Sequence, residues 1–185
     1  MSKVTPGTLS RRTTSTSCRL APGGSRFSFD NLFDSRYNSP VAPREKFHVL
    51  FVCIGNSCRS PMAEAVARQL ASDIIEPSSA GLAPLGHIAE RTIATLSANG
   101  HSAGGLFSKR LSPKAIDDAD LIVNLSGLAI DCLPGRVKVE EWPVEDPYGA
   151  GPATYQRILE EIEGRVLTLA ARIRSQPKLK RSHHL

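Results

Sequence analysis

No part of this 185-residue chain is apolar for long. The longest wholly apolar run, Val49–Ile54, is far short of the ~18 residues from which a membrane span is read. A soluble, cytoplasmic protein without a membrane partner is expected. Cysteine is also scarce, with Cys18, Cys53, Cys58 and Cys132 the whole supply. Two of these thiols share one short loop, and no signal peptide is recognisable. That pattern points to catalytic or redox chemistry in a reducing compartment, and away from the disulfide framework of a small secreted domain. No internal repeat is visible.

Acidic residues are missing from both ends. Residues 1–29 hold five bases and no acid, residues 165–185 hold six bases and no acid, and the body between them sets 12 bases against 18 acids. The overall charge of +5 therefore belongs to the ends, and the body is acidic at −6. Such a body does not offer a general polyanion-binding face, so nucleic acid is not an expected partner.

Residues 1–44 are rich in Ser, Thr, Arg, Pro and Gly, and their apolar residues follow no period. A segment of this composition cannot bury enough apolar surface to offset its ordering entropy, so a disordered basic extension is expected. Its Arg- and Ser-rich start also resembles an organelle transit peptide. Residues 45–176 read as one folded domain and residues 177–185 as a basic disordered tail.

Within the domain, apolar runs alternate with helical patterns in the rhythm of βα units. His48–Val52 reads as a central parallel strand, and Ile74 and Ile75 lead a second that runs into Ser78-Ser79-Ala80-Gly81. Leu121–Leu125 reads as a third, and Val137–Trp142 as an edge strand stopped by Pro143. Helices are expected from Ser60-Pro61, with Ser60 as N-cap and Met62, Val66 and Leu70 facing inward, and over Ile88–Ala98 with Asn99-Gly100 as its stop. A short helix should follow Ser112-Pro113. A long one should span Thr154–Ser175, with Ile158, Ile162, Val166, Leu169 and Ile173 along one stripe. The fold class is α/β: three layers, with a four-stranded parallel sheet and helices on both faces.

The chemistry concentrates in Cys53-Ile54-Gly55-Asn56-Ser57-Cys58-Arg59-Ser60-Pro61, between a strand end and a helix start. A thiol placed there, under converging backbone N–H groups and beside Arg59, is stabilised as the thiolate, the form that attacks. The same surroundings would hold a phosphate dianion, with Arg59 forking two N–H groups onto its oxygens. Turning the N–H groups inward needs unusual φ values, which suits Gly55 and Asn56. The Ser60 hydroxyl could point its hydrogen at the Cys53 sulfur. Ligands of such sheets bind at the carboxyl ends of the strands, where Glu145–Gly149 could lie over the same edge. Asp146 would protonate the leaving oxygen and then draw a proton from water. Activity should peak at mildly acid pH, and neither metal nor cofactor is needed.

Blander readings exist for each residue. Cys53 could be a core cysteine, Asp146 a loop acid before Pro147, Tyr148 a partial core plug and Cys132 a structural thiol. His87 and His101, beside loop glycines, are expected to be exposed, and Asp117, Asp118 and Asp120 to form a solvated helix end. Cys53 and Cys58 lack two further partners for a metal, with His48 on the wrong side of its strand.

Cys53–Glu64, together with Ser79-Ala80-Gly81 and Asp146-Pro147-Tyr148, resembles the low-molecular-weight protein tyrosine phosphatases. The resemblance implies a phosphocysteine route that hydrolyses phosphotyrosine in proteins or a small aryl phosphate. Cys53 would be the nucleophile, Arg59 and the Ile54, Gly55, Asn56, Ser57 and Cys58 backbone would bind phosphate, and Asp146 would be the acid. It further implies that Tyr148 flanks the aryl ring and that Cys58 can form a protective disulfide with Cys53. Leu125–Pro134 and Trp142–Pro147 also resemble the related arsenate reductases, which work with thioredoxin or a small thiol. Two cysteines flank that segment in those enzymes. Here only Cys132 is present, with Ser126 near the place of its partner.

Overall fold

The computed structural model describes residues 46–130 and 138–175. The expected extension over 1–44, the tail over 177–185, Cys18 and Cys132 lie outside the described residues.

Four parallel strands form one sheet in the order β2-β1-β3-β4: β1 (Phe47–Cys53), β2 (Ile75–Gly81), β3 (Leu121–Asn124) and β4 (Lys138–Glu141). Four helices accompany them: α1 (Arg59–Leu70), α2 (Glu90–Ala98), α3 (Pro113–Asp117) and α4 (Pro152–Ser175). Successive strand residues face opposite sides. Val49, Phe51 and Cys53 therefore join Met62 and Val66 of α1 and Ile158, Ile162, Val166 and Leu169 of α4 in one core. Leu50, Val52 and Ile122 join Ile116 of α3 in the other. Both faces of β1 are buried from Val49 to Cys53, which is why it reads as an unbroken apolar run, whereas β4 at the edge has no buried residue.

Local chemistry sets the element ends. Ser112 caps α3 by accepting from the Ala115 N–H at 3.2 Å, with Pro113 in the first turn. Gly100, at φ 76°, ends α2, and the His101 N–H returns to the Leu96 carbonyl at 2.9 Å. That return turns His101 inward, so the expectation of an exposed histidine is overturned. His101 is 5% exposed, with its ring nitrogens 3.2 Å from Gln69 Oε1 and 2.6 Å from Glu163 Oε1. Asp120 likewise does more than end a helix, because its carboxylate accepts from the His48 N–H at 2.8 Å and ties the start of β3 to β1.

Helix α1 begins two residues earlier than the capping pattern suggests. Cys58 is its N-cap, without a side-chain cap bond, and Ser60 lies inside the first turn. The Ser60 hydroxyl is thereby released from capping and faces the loop.

Candidate active site

The loop from Cys53 to Arg59 joins the carboxyl end of β1 to the first turn of α1. Its strained residue is Asn56, at φ 44°. Gly55 does not adopt positive φ; its bare Cα instead admits Leu85, whose Cγ would lie 3.0 Å from an added Cβ. Gly81, paired with Cys53 at the strand ends, is needed for the same kind of reason, since a Cβ there would sit 2.8 Å from the Ile54 carbonyl oxygen.

The loop carbonyls are engaged from outside. Cys53, Ile54, Gly55 and Ser57 accept from the N–H groups of Leu82, Ala83, Leu85 and Ala89 at 2.9–3.1 Å, and Cys58 accepts from Met62 at 3.0 Å. None of the N–H groups of residues 55–58 donates to another described residue. The backbone thus spends its acceptors outward and keeps its donors, the arrangement of an anion-binding nest.

Side chains complete the cradle. Cys53 is 2% exposed, and its Sγ lies 2.9 Å from Ser60 Oγ. The Asn56 side chain points away from the loop interior, its Nδ2 donating to Ser60 Oγ and Ser79 Oγ, each at 2.9 Å. Arg59 is buried. Its Nη1 donates to the carbonyls of Leu125 (2.7 Å) and Val144 (3.3 Å), and its Nη2 pairs with Asp146 Oδ2 at 2.5 Å. One arm of the guanidinium fork is therefore taken by a carboxylate. Its Nε and the Ser57 hydroxyl are the buried side-chain polar atoms without a partner among the described residues. Orphaned buried donors of this kind call for a ligand or water.

Cys58 lies beneath the loop with its Sγ 3.4 Å from the Tyr155 hydroxyl, and burial raises its thiol above the ordinary 9.0. Burial, reinforced by Cys58, pushes the Tyr155 hydroxyl up as well. Asp146 stands on the loop between β4 and α4, and its Oδ1 accepts from the Tyr148 N–H at 3.1 Å. Tyr148 is 57% exposed, so it plugs no core. Ser126 is buried and donates to Asn124 Oδ1 at 2.7 Å. No metal-ligating cluster of histidine, cysteine or carboxylate occurs among the described residues.

The structure thus places Cys53, Arg59, Ser60 and Asp146 around the ends of β1, β3 and β4. Sequence reasoning missed what anchors them: the Leu125 and Val144 carbonyls, Tyr155, and the buried Glu64–Ser79 pair with half-buried Lys109. Glu64 carried one legible signal, a charge between Met62 and Val66 on an otherwise apolar helix face.

Residues 48–179 match the family described as low molecular weight phosphotyrosine protein phosphatase, and the chain belongs to that family. It is 34% identical to an arsenate reductase of Staphylococcus aureus (strain Newman) over 62% of this chain and 89% of that protein. It is 32% identical to the glutaredoxin arsenate reductase of a Synechocystis species over 68% and 97% of the two chains. The low molecular weight protein tyrosine phosphatase of T. tengcongensis has a similar structure: TM-score 0.62, 27% identity, covering 69% of this chain and 99% of that one.

Proposed function

We propose that the protein is a cysteine-dependent phosphomonoesterase acting on phosphotyrosine in proteins or on small aryl phosphates. The observation that carries this reading is the loop joining Cys53 to Arg59: the N–H groups of residues 55–58 and Arg59 Nε have no partner among the described residues, and the Ser60 hydroxyl lies 2.9 Å from Cys53 Sγ. Fixed donors of this kind favour the charge on the phosphoryl oxygens before and during transfer. The low exposure of Cys53 restricts attack to a group small enough to enter the loop.

In the first step the Cys53 thiolate attacks phosphorus, the bond to the leaving oxygen breaks, and Asp146 gives that oxygen a proton. In the second, water attacks the thiophosphate, Asp146 takes the water's proton, and phosphate departs as the thiolate re-forms. Ile54, Gly55, Asn56, Ser57 and Cys58 supply backbone donors, and Tyr148 offers its ring beside Asp146.

Similarity to two arsenate reductases supports a second reading on the same loop. Cys53 would add to arsenate with loss of water, and an external thiol, from thioredoxin or a small molecule, would attack the Cys53 sulfur and release arsenite. The thiols supply the two electrons and end as a disulfide. Ser126 weighs against an internal relay, since a serine hydroxyl cannot take part in thiol–disulfide exchange.

Side-by-side assays with an aryl phosphate and with arsenate plus thiol separate the two. Aryl phosphate hydrolysis should dominate, pass through a trappable phosphocysteine, and fall at least about 10³-fold in Cys53→Ser. Turnover of arsenate alone would transfer the assignment to the reductase reading, and parental turnover in Cys53→Ser would end both.

A further inference from the structure

A guanidinium is a rigid planar fork, so it serves an oxyanion only when its plane is fixed in advance. The plane of Arg59 is held at Nη1, which donates to the Leu125 carbonyl at 2.7 Å and, at the longer 3.3 Å, to the Val144 carbonyl. Its Nε is left without a partner among the described residues. The Leu125 carbonyl stands one residue past the end of β3, and a side chain sets its direction.

That side chain is Asn124, the buried last residue of β3. Its Oδ1 accepts from the Ser126 N–H at 2.9 Å and from the Ser126 hydroxyl at 2.7 Å. Its Nδ2 donates to the Leu128 carbonyl at 2.8 Å and to both carboxylate oxygens of Glu141, at 2.8 and 3.0 Å. A backbone N–H can only donate and a backbone carbonyl can only accept, so the amide has one orientation. Glu141 belongs to β4, so the amide is braced on the edge strand. The Ser126 N–H and the Leu125 C=O are parts of one planar peptide group and point in opposite directions across it. Holding the N–H on Asn124 Oδ1 therefore turns the carbonyl away from Asn124 and toward Arg59 Nη1.

We propose that Asn124, braced by Glu141, is a positioning residue for Arg59: it locks the Leu125–Ser126 peptide plane, and through it the plane in which the guanidinium presents Nε to an oxyanion in the loop. The inference rests on the loop binding an oxyanion, which the phosphatase and reductase readings share. Asn124 acts through Arg59, so its effect is on oxyanion affinity and is the same whatever group the oxyanion carries.

The test uses the full chain and titrates it with inorganic phosphate, following the NMR signals of the loop amides and of the Arg59 Nε–H, so no outcome depends on the substrate. In the parent both sets of signals should move; if neither does, the oxyanion-loop reading itself falls, and this inference with it. In Asn124→Leu, which is close in volume but forms no side-chain hydrogen bond, the phosphate dissociation constant should rise about threefold to tenfold, the worth of one hydrogen bond between neutral groups. Ser126→Ala loses the hydroxyl's bonds to Asn124 and to the Leu128 N–H but keeps its own N–H on Oδ1, so its affinity should stay close to the parent's. A purely structural role for Asn124 would lower the melting temperature and leave the affinity of the folded protein alone. Unchanged affinity in Asn124→Leu overturns the proposal, as does an equal loss in Ser126→Ala. If Asn124→Leu does not fold, Glu141→Leu removes the brace from the exposed edge strand. Loss of that negative charge alone would tighten anion binding. Weaker phosphate binding in Glu141→Leu, recovered in Glu141→Gln, therefore supports the proposal, and unchanged or tighter binding in Glu141→Leu overturns it.

Discussion

At the scale of single residues, the ion pair between Arg59 and Asp146 sets two demands against each other. Asp146 occupies the Nη2 arm of Arg59; on the proposed reading, a phosphate taking Nε and Nη2 together would displace the carboxylate from the arginine. If the released carboxyl then serves as acid, Asp146→Asn should slow hydrolysis about 10²- to 10⁴-fold for a poor leaving group and far less for a good one such as a nitrophenolate. Equal losses across a leaving-group series would remove Asp146 from that role. Beneath the loop, the raised Cys58 thiol has a consequence for stability. Its neutral form is favoured in the folded protein, so above about pH 9 the unfolded chain releases the proton first and stability falls as pH rises. Thermal melts should show that decline in the parent and a shallower one in Cys58→Ala.

At the scale of elements, two glycines make opposite cases. Gly81 ends β2 against the loop backbone, where a methyl group would approach two Asn56 atoms at 2.9 Å and the Ile54 oxygen at 2.8 Å. Neither neighbour can rotate away, so Gly81→Ala should cost about 1–3 kcal/mol in denaturant unfolding and disturb turnover together with it. Gly164 sits on the exposed side of α4 with open space where its Cβ would stand. Gly164→Ala should stabilise by about 0.5–1 kcal/mol, because it lowers the entropy of the unfolded chain and obstructs nothing. Activity should be unchanged in that variant.

At the scale of the whole molecule, charge and fold are partitioned differently. The family match starts at residue 48, and both faces of β1 find their partners among α1, α3 and α4. Removing residues 1–44 should therefore leave the melting temperature and the aryl phosphatase rate within about twofold of the parent, since β1 is buried by elements that follow it in the chain. A large loss of either would assign those residues a contact with the domain. No helix among the described residues is long and apolar enough to cross a membrane.

The sequence by itself determined the α/β class, the four strands and the loop that joins Cys53 to Arg59, because apolar runs, capping residues and turn glycines act over a few residues. Only the tertiary structure decided what those pieces face. Residues 59 and 146 meet because β1, β3 and β4 end at one edge. His101 is buried because the end of α2 turns it toward Glu163, and Ser60 is a loop partner because α1 starts two residues early. Ser79 and Lys109 converge on Asn56 and are joined to each other through Glu64, from three separate segments. Hydrogen bonds across such separations depend on strand order and register, which no local pattern encodes.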